Sequence, residues 1–226
     1  MNKTNTENRY VRILSTGVHL EGILSVPEQP KGLVVFVHGS GSSRHSPRNQ
    51  YVAETLQEGG LATLLFDLLT PSEEEIDLQT RHLRFDINLL ARRTIGVLEW
   101  LTLQPYASDL KIGLFGSSTG AAAALIAAAE LPDRVDAVVS RGGRPDLAGS
   151  ALPKVQAPTL LIVGGFDEPV IYLNEQALAQ MRTAKEKKLI IVPGASHLFE
   201  EPGTLEYVAR LATDWFQTYL SPVNVR

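Results

Sequence analysis

Ser118 stands in Gly116-Ser117-Ser118-Thr119-Gly120, directly after the apolar run Lys111–Phe115 and directly before the alanine-rich run Ala121–Ala129. A strand, a turn of small residues and a helix in that order lift a serine hydroxyl clear of a sheet edge, with a helix N-terminus behind it. Asp167 follows the apolar run Thr159–Val163, and His197 follows Lys188–Val192. Acyl transfer needs a nucleophile, a base to take its proton and a carboxylate to hold the base. Ser118, His197 and Asp167 are the candidates for those roles, in that assignment. Each is expected on a loop leaving the C-terminal end of a strand, where open α/β sheets build their sites.

The oxyanion formed by attack needs donors. The backbone N–H of Thr119, next to the nucleophile, is one candidate. The other is Ser40 in the loop His38-Gly39-Ser40-Gly41-Ser42-Ser43, where small residues let the backbone approach a carbonyl. His38 is read as structural, packing beneath that loop, and His19, His45 and His82 as surface or hairpin residues. Asp67 and Asp136 rank behind Asp167 as the acid. Arg141 and Arg144 either rim the site and bind a substrate carboxylate or form surface ion pairs with Asp133, Asp136 or Asp146.

The elements that must position these groups can be read from the apolar pattern. Tyr10–Leu14 and Val18–Val26 form a hairpin through Ser15-Thr16-Gly17. Six short strands follow at Gly32–Val37, Ala62–Asp67, Lys111–Phe115, Ala137–Ser140, Thr159–Gly164 and Lys188–Val192. Runs such as Leu33–Val37 suit strands buried on both faces. Helical spacing appears in Asn49–Glu58, Thr80–Leu103, Ala121–Leu131, Leu173–Met181 and Thr204–Tyr219. The expectation is a mostly parallel α/β sheet with an N-terminal antiparallel hairpin and helices on both faces. One domain over residues 1–226 is expected, with 1–8 as a tail.

Composition bounds the alternatives. A formal charge of -4 over 226 residues gives no electrostatic reason to expect nucleic acid or an anionic membrane as partner. The chain has no cysteine, so thiolate nucleophiles, disulfides and thiolate metal sites are excluded. No cofactor and no metal are expected. The polar start lacks the apolar core of a signal peptide, which points to a cytoplasmic protein. A monomer or homodimer acting on a small-molecule ester is the expected working unit.

Together, His38-Gly39-Ser40-Gly41, Gly116-Ser117-Ser118-Thr119-Gly120, Gly164-Gly165-Phe166-Asp167 and Gly194-Ala195-Ser196-His197 resemble the α/β-hydrolase superfamily. Within it the chain is most similar to the dienelactone-hydrolase-like proteins, from about Arg9 to Leu220. The resemblance implies an α/β-hydrolase fold and a Ser118-His197-Asp167 triad working without a cofactor. Dienelactone hydrolases proper carry a cysteine where this chain has Ser118, which favours serine esterase chemistry. Larger relatives insert a helical cap after the strand corresponding to Ala137–Ser140. The short segment before Thr159 leaves no room for one, so short-chain or small soluble esters are the expected substrates. Lactonase, thioesterase or amidase activity could share the triad.

Two other classes compete. Gly39-Ser40-Gly41 after a strand resembles the start of a dinucleotide-binding loop, but Arg44 occupies the third glycine position. A catalytically silent α/β binding protein is the second rival, and the presence of all three triad residues argues against it.

Overall fold

The computed structural model describes residues 6–222. Its sheet has eight strands: β1 (Thr6–Ser15), β2 (Val18–Pro27), β3 (Leu33–Val37), β4 (Ala62–Phe66), β5 (Ile112–Ser117), β6 (Ala137–Arg141), β7 (Thr159–Gly164) and β8 (Lys187–Val192). Their spatial order is β1-β2-β4-β3-β5-β6-β7-β8. β2 runs antiparallel to both β1 and β4, and every pair from β4 through β8 is parallel. This is the α/β-hydrolase fold expected from the motifs. The β1–β2 hairpin turns on Thr16 and Gly17, both at positive φ (49° and 80°), the backbone that matches the strands' right-handed twist. Of the expected tail, residues 1–5 lie outside the described residues, whereas Thr6–Asn8 already pair with β2.

Alternation within the central strands supplies two apolar faces. Val34 and Phe36 join Phe115, Val139 and Ile162 under α1 (Pro47–Glu58) and α6 (Thr204–Leu220). Leu33, Val35 and Val37 join Leu114 and Val138 under α3 (Ile87–Thr102) and α4 (Thr119–Glu130). The helix α4 is buried almost all round, as its composition requires, and its small side chains bring it close to the sheet. A Cβ at Gly120 would lie 2.1 Å from the Val37 carbonyl oxygen, so no side chain fits where α4 meets β3.

The expected helix Thr80–Leu103 starts later, at Ile87 of α3, and a helix not expected from the sequence precedes it. Helix α2 (Pro71–Thr80) opens with Pro71 and a capping box, in which Thr70 accepts from Glu73 N–H and Glu73 accepts from Thr70 N–H. It ends where Arg81 adopts a left-handed conformation (φ 57°). The buried Asp77 carboxylate then accepts from Leu83 N–H (2.8 Å) and Arg84 N–H (3.1 Å), replacing helical carbonyl partners. Asp86 restarts the helix as N-cap of α3, accepting from Leu89 N–H. Arg93 of α3 reaches back to Glu73 (2.6 Å), fastening the two helices together. The helix read as Leu173–Met181 is longer: α5 spans Glu168–Gln180 and begins directly after Asp167. Between β6 and β7 there is a 3-10 segment, Pro145–Lys154, and no helical cap. Among the described residues no helix is long and apolar enough to cross a membrane.

Candidate active site

Ser118 has φ 49° and ψ -122°, backbone that an L side chain adopts at a cost of about 1–3 kcal/mol. Three bonds hold it there. Its N–H donates to the Arg141 carbonyl of β6 (3.3 Å), and its own carbonyl accepts from Ala121 N–H (3.2 Å) and Arg144 N–H (3.0 Å). The turn between β5 and α4 is thus anchored to the neighbouring strand as well as to its own helix.

Asp167 is the N-cap of α5, and His197 leaves the loop after β8. The two meet: His197 Nδ1 and Asp167 Oδ2 are 2.6 Å apart, with Asp167 largely buried and His197 39% exposed. Such a bond fixes the imidazole with Nδ1 toward the carboxylate and leaves Nε2 as the acceptor for a nucleophile's proton. Glu201 steadies the loop by accepting from Ser196 N–H (2.9 Å), and these backbone donors hold its carboxyl below the usual range. Loop and elbow come together at Gly142. A Cβ there would sit 3.0 Å from the His197 carbonyl and 3.6 Å from its Cε1.

The loop after β3 passes directly over the serine. A Cβ at Gly39 would stand 3.0 Å from Ser118 Cβ, so only glycine lets the chain cross at that height. Ser40 differs from its sequence expectation. Its N–H does not stand free for a substrate carbonyl but donates to Thr119 Oγ1 (2.9 Å). The physical reason is that Thr119, first residue of α4, projects its hydroxyl up against the loop.

His38 takes the structural place expected of it. It bonds through Nδ1 to the Gly39 carbonyl (2.9 Å) and accepts Leu68 N–H at Nε2 (3.1 Å), tying the serine-crossing loop to the end of β4. That pattern requires a neutral ring, and burial pushes its pKa below the ordinary 6.5. An unfolded chain takes up this proton at higher pH than the folded one. The His38 contribution to stability should therefore be complete above about pH 6.5 and be lost as pH falls toward the depressed value. Unfolding midpoints of wild type and His38→Gln should diverge at neutral pH and converge on acidification. A constant gap would rule out this linkage.

Asp67 is not a triad acid: it accepts from Arg44 N–H (2.7 Å) and pairs with the Arg44 guanidinium, bracing the same loop. Asp136 accepts Ile112 N–H (2.9 Å) at the far end of β5. Arg144 and Asp146 form a bidentate pair (2.8 Å for both bonds), the ion-pair alternative of the sequence reading. Arg141 fits neither alternative as drawn, since it is 7% exposed and has no carboxylate partner. Sequence reasoning passed over Arg48 and Asn49, which approach Arg141 from α1. Their one visible signal was a basic residue in the first turn of a helix. Among the described residues no three His, Cys, Asp or Glu side chains cluster as a metal site.

The profile of the Dienelactone hydrolase family matches residues 20–223. The chain is 62% identical to a dienelactone hydrolase from Anabaena variabilis ATCC 29413. That crystal structure superposes with a TM-score of 0.92, covering 95% of this chain and 99% of the other. Two Mycobacterium tuberculosis proteins, from strains CDC 1551 / Oshkosh and ATCC 25618 / H37Rv, carry a provisional phosphoribosyl transferase name. They are 59% identical over 93% of this chain and 46% of their own length, so the chain spans about half of each. Est1E from Butyrivibrio proteoclasticus shares the fold at a TM-score of 0.74 and 20% identity, over 92% of this chain and 98% of its own.

Proposed function

The chain belongs to the dienelactone hydrolase family, and from that membership we propose that it is a serine carboxylic ester hydrolase acting through an acyl-enzyme. The observation that supports this most is the 2.6 Å pairing of His197 with Asp167, on a loop packed against the strained Ser118 turn. A scaffold has no use for a strained serine and an oriented imidazole on two segments that meet at Gly142.

In this mechanism Ser118 Oγ attacks the ester carbonyl while His197 Nε2 takes its proton. The tetrahedral intermediate collapses as His197 returns that proton to the leaving alcohol, and water repeats the sequence on the acyl-enzyme. Asp167 stays ionised, holding the ring and stabilising the imidazolium. The Thr119 N–H, at the start of α4, is one oxyanion donor. For the second we assign the Thr119 hydroxyl. Its oxygen already accepts from Ser40, leaving its own proton to give to the oxyanion. Ser40 thereby acts through Thr119 and orients it.

With no cap over a half-exposed His197, small soluble esters should be preferred over long acyl chains. Hydrolysis of p-nitrophenyl esters from acetate to dodecanoate, with no metal added, should peak at the short end. Thr119→Val should turn over about a hundredfold more slowly. A fluorophosphonate should label Ser118 stoichiometrically. A rate that climbs steadily to dodecanoate would remove the open-site preference, and an unlabelled Ser118 would remove the serine mechanism itself.

A further inference from the structure

Arg141 ends β6 beside the nucleophile turn, and its side chain points to the sheet face covered by α1. It is 7% exposed, and its Nε and Nη1 are fully buried without a hydrogen-bond partner. Its Nη2 reaches only the Asn49 Oδ1 of α1, at 3.4 Å. A guanidinium carries five donors and cannot shed its charge at neutral pH, so leaving most of them unpaired in the interior is costly.

The surroundings add positive charge where a carboxylate would be expected. Arg48 lies close enough to repel it: burial, and after it Arg48, push Arg141 down to about 10, still cationic at neutral pH. Arg48 Nε is itself buried and unpartnered. The N-terminus of α1, twelve residues long and capped by Ser46, opens here with no acidic residue in its first turn. Two guanidinium groups and the positive end of a helix dipole all disfavour one another unless an anion sits between them. The acid that meets this cluster, Glu200, touches Arg48 at 3.4 Å and is itself 63% exposed.

We propose that Arg141, Arg48, Asn49 and the N-terminus of α1 form a binding site for a small oxyanion, a carboxylate or a phosphate group. A planar guanidinium fork offers paired donors that match two oxygens of such a group, and the Asn49 side-chain amide together with the Arg48 N–H, the first backbone donor of α1 after Pro47, supplies neutral donors. The site is joined to the nucleophile turn through β6, since the Arg141 carbonyl accepts the Ser118 N–H. An anion here would hold α1, β6 and the histidine loop to one another. Its binding does not rest on Ser118 being the nucleophile.

Titration calorimetry with inorganic phosphate at fixed ionic strength tests the site directly. Wild type and Ser118→Ala should bind with one-to-one stoichiometry, with a saturable rise in Tm. Arg48→Gln, altered at a partly exposed side chain, should bind about tenfold more weakly, the loss of one charged hydrogen bond. Arg141→Met should bind still less. No saturable binding to wild type, or equal affinity in wild type and both arginine variants, would overturn the proposal, with water then filling the space around Arg141. Kinetics separate the two sources of the anion. Phosphate that competes with a carboxylate-bearing ester but not with a neutral one marks the site as a place for the substrate's own acidic group. Binding without competition marks a free anion. Loss of esterase activity in Ser118→Ala with phosphate binding intact would separate this site from the catalytic reading.

Discussion

Alanine at position 118 should lower kcat on p-nitrophenyl acetate by about a million-fold while leaving KM within a small factor of wild type. The nucleophile and base act as a unit, so losing the serine discards nearly all of the rate that the relay supplies. What survives is the oxyanion donors and substrate binding, worth about 10³–10⁴ over water. The substitution removes one hydroxyl from a turn whose backbone bonds run through N–H and carbonyl groups, to Arg141, Ala121 and Arg144, so the fold should be retained. Equal thermal melts for the two proteins, with labelling and turnover lost together, are the expected pair of results. Turnover that persists within tenfold of wild type would assign the chemistry to another residue.

Asp167→Asn should cost about 10⁴ in kcat with little change in folding. The carboxylate stands 2.6 Å from His197 Nδ1 and can only accept, which commits the proton to Nδ1 and leaves Nε2 free for the serine. Asparagine is nearly isosteric but can present its NH₂ to Nδ1, which then becomes the acceptor and leaves the proton on Nε2. Geometry survives and the tautomer is reversed. Steady-state kinetics on a neutral ester should show the loss in kcat at nearly constant KM. If the loss is below tenfold, Asp167 only braces the loop.

The framework behind these groups was legible because its signals are local and strong. Runs such as Leu33–Val37 and Thr159–Val163 have no amphipathic reading, and Gly116 and Gly120, two positions either side of Ser118, mark the turn. Helix α2 was not legible because it has no apolar stripe: Pro71-Ser72-Glu73-Glu74-Glu75 is polar, and its one buried residue is Asp77. The break between α2 and α3 was hidden for the same reason, since it depends on Asp77 turning inward to bind Leu83 and Arg84 backbone groups. Ser40 lies in the loop that crosses the serine, but the direction of its N–H depends on a hydroxyl 79 positions later in the chain. The burial of Arg141 is a tertiary fact of the same kind. Nothing in Ser140-Arg141-Gly142 distinguishes a surface cation from one enclosed by α1.

Among the described residues, the order of the strands puts β1 and β8 at the two margins of the sheet. Such margins invite a second chain to add a strand. On β8 the first two residues, Lys187 and Lys188, are exposed, and on β1 Glu7 and Arg9 are exposed along the free border. A chain approaching either margin must desolvate those charges, and a copy of this protein brings like charge to like on β8. Colloidal behaviour is thereby set at the rims of the sheet, far from Ser118. Neutralising Lys188 would loosen that protection while leaving the chemistry alone.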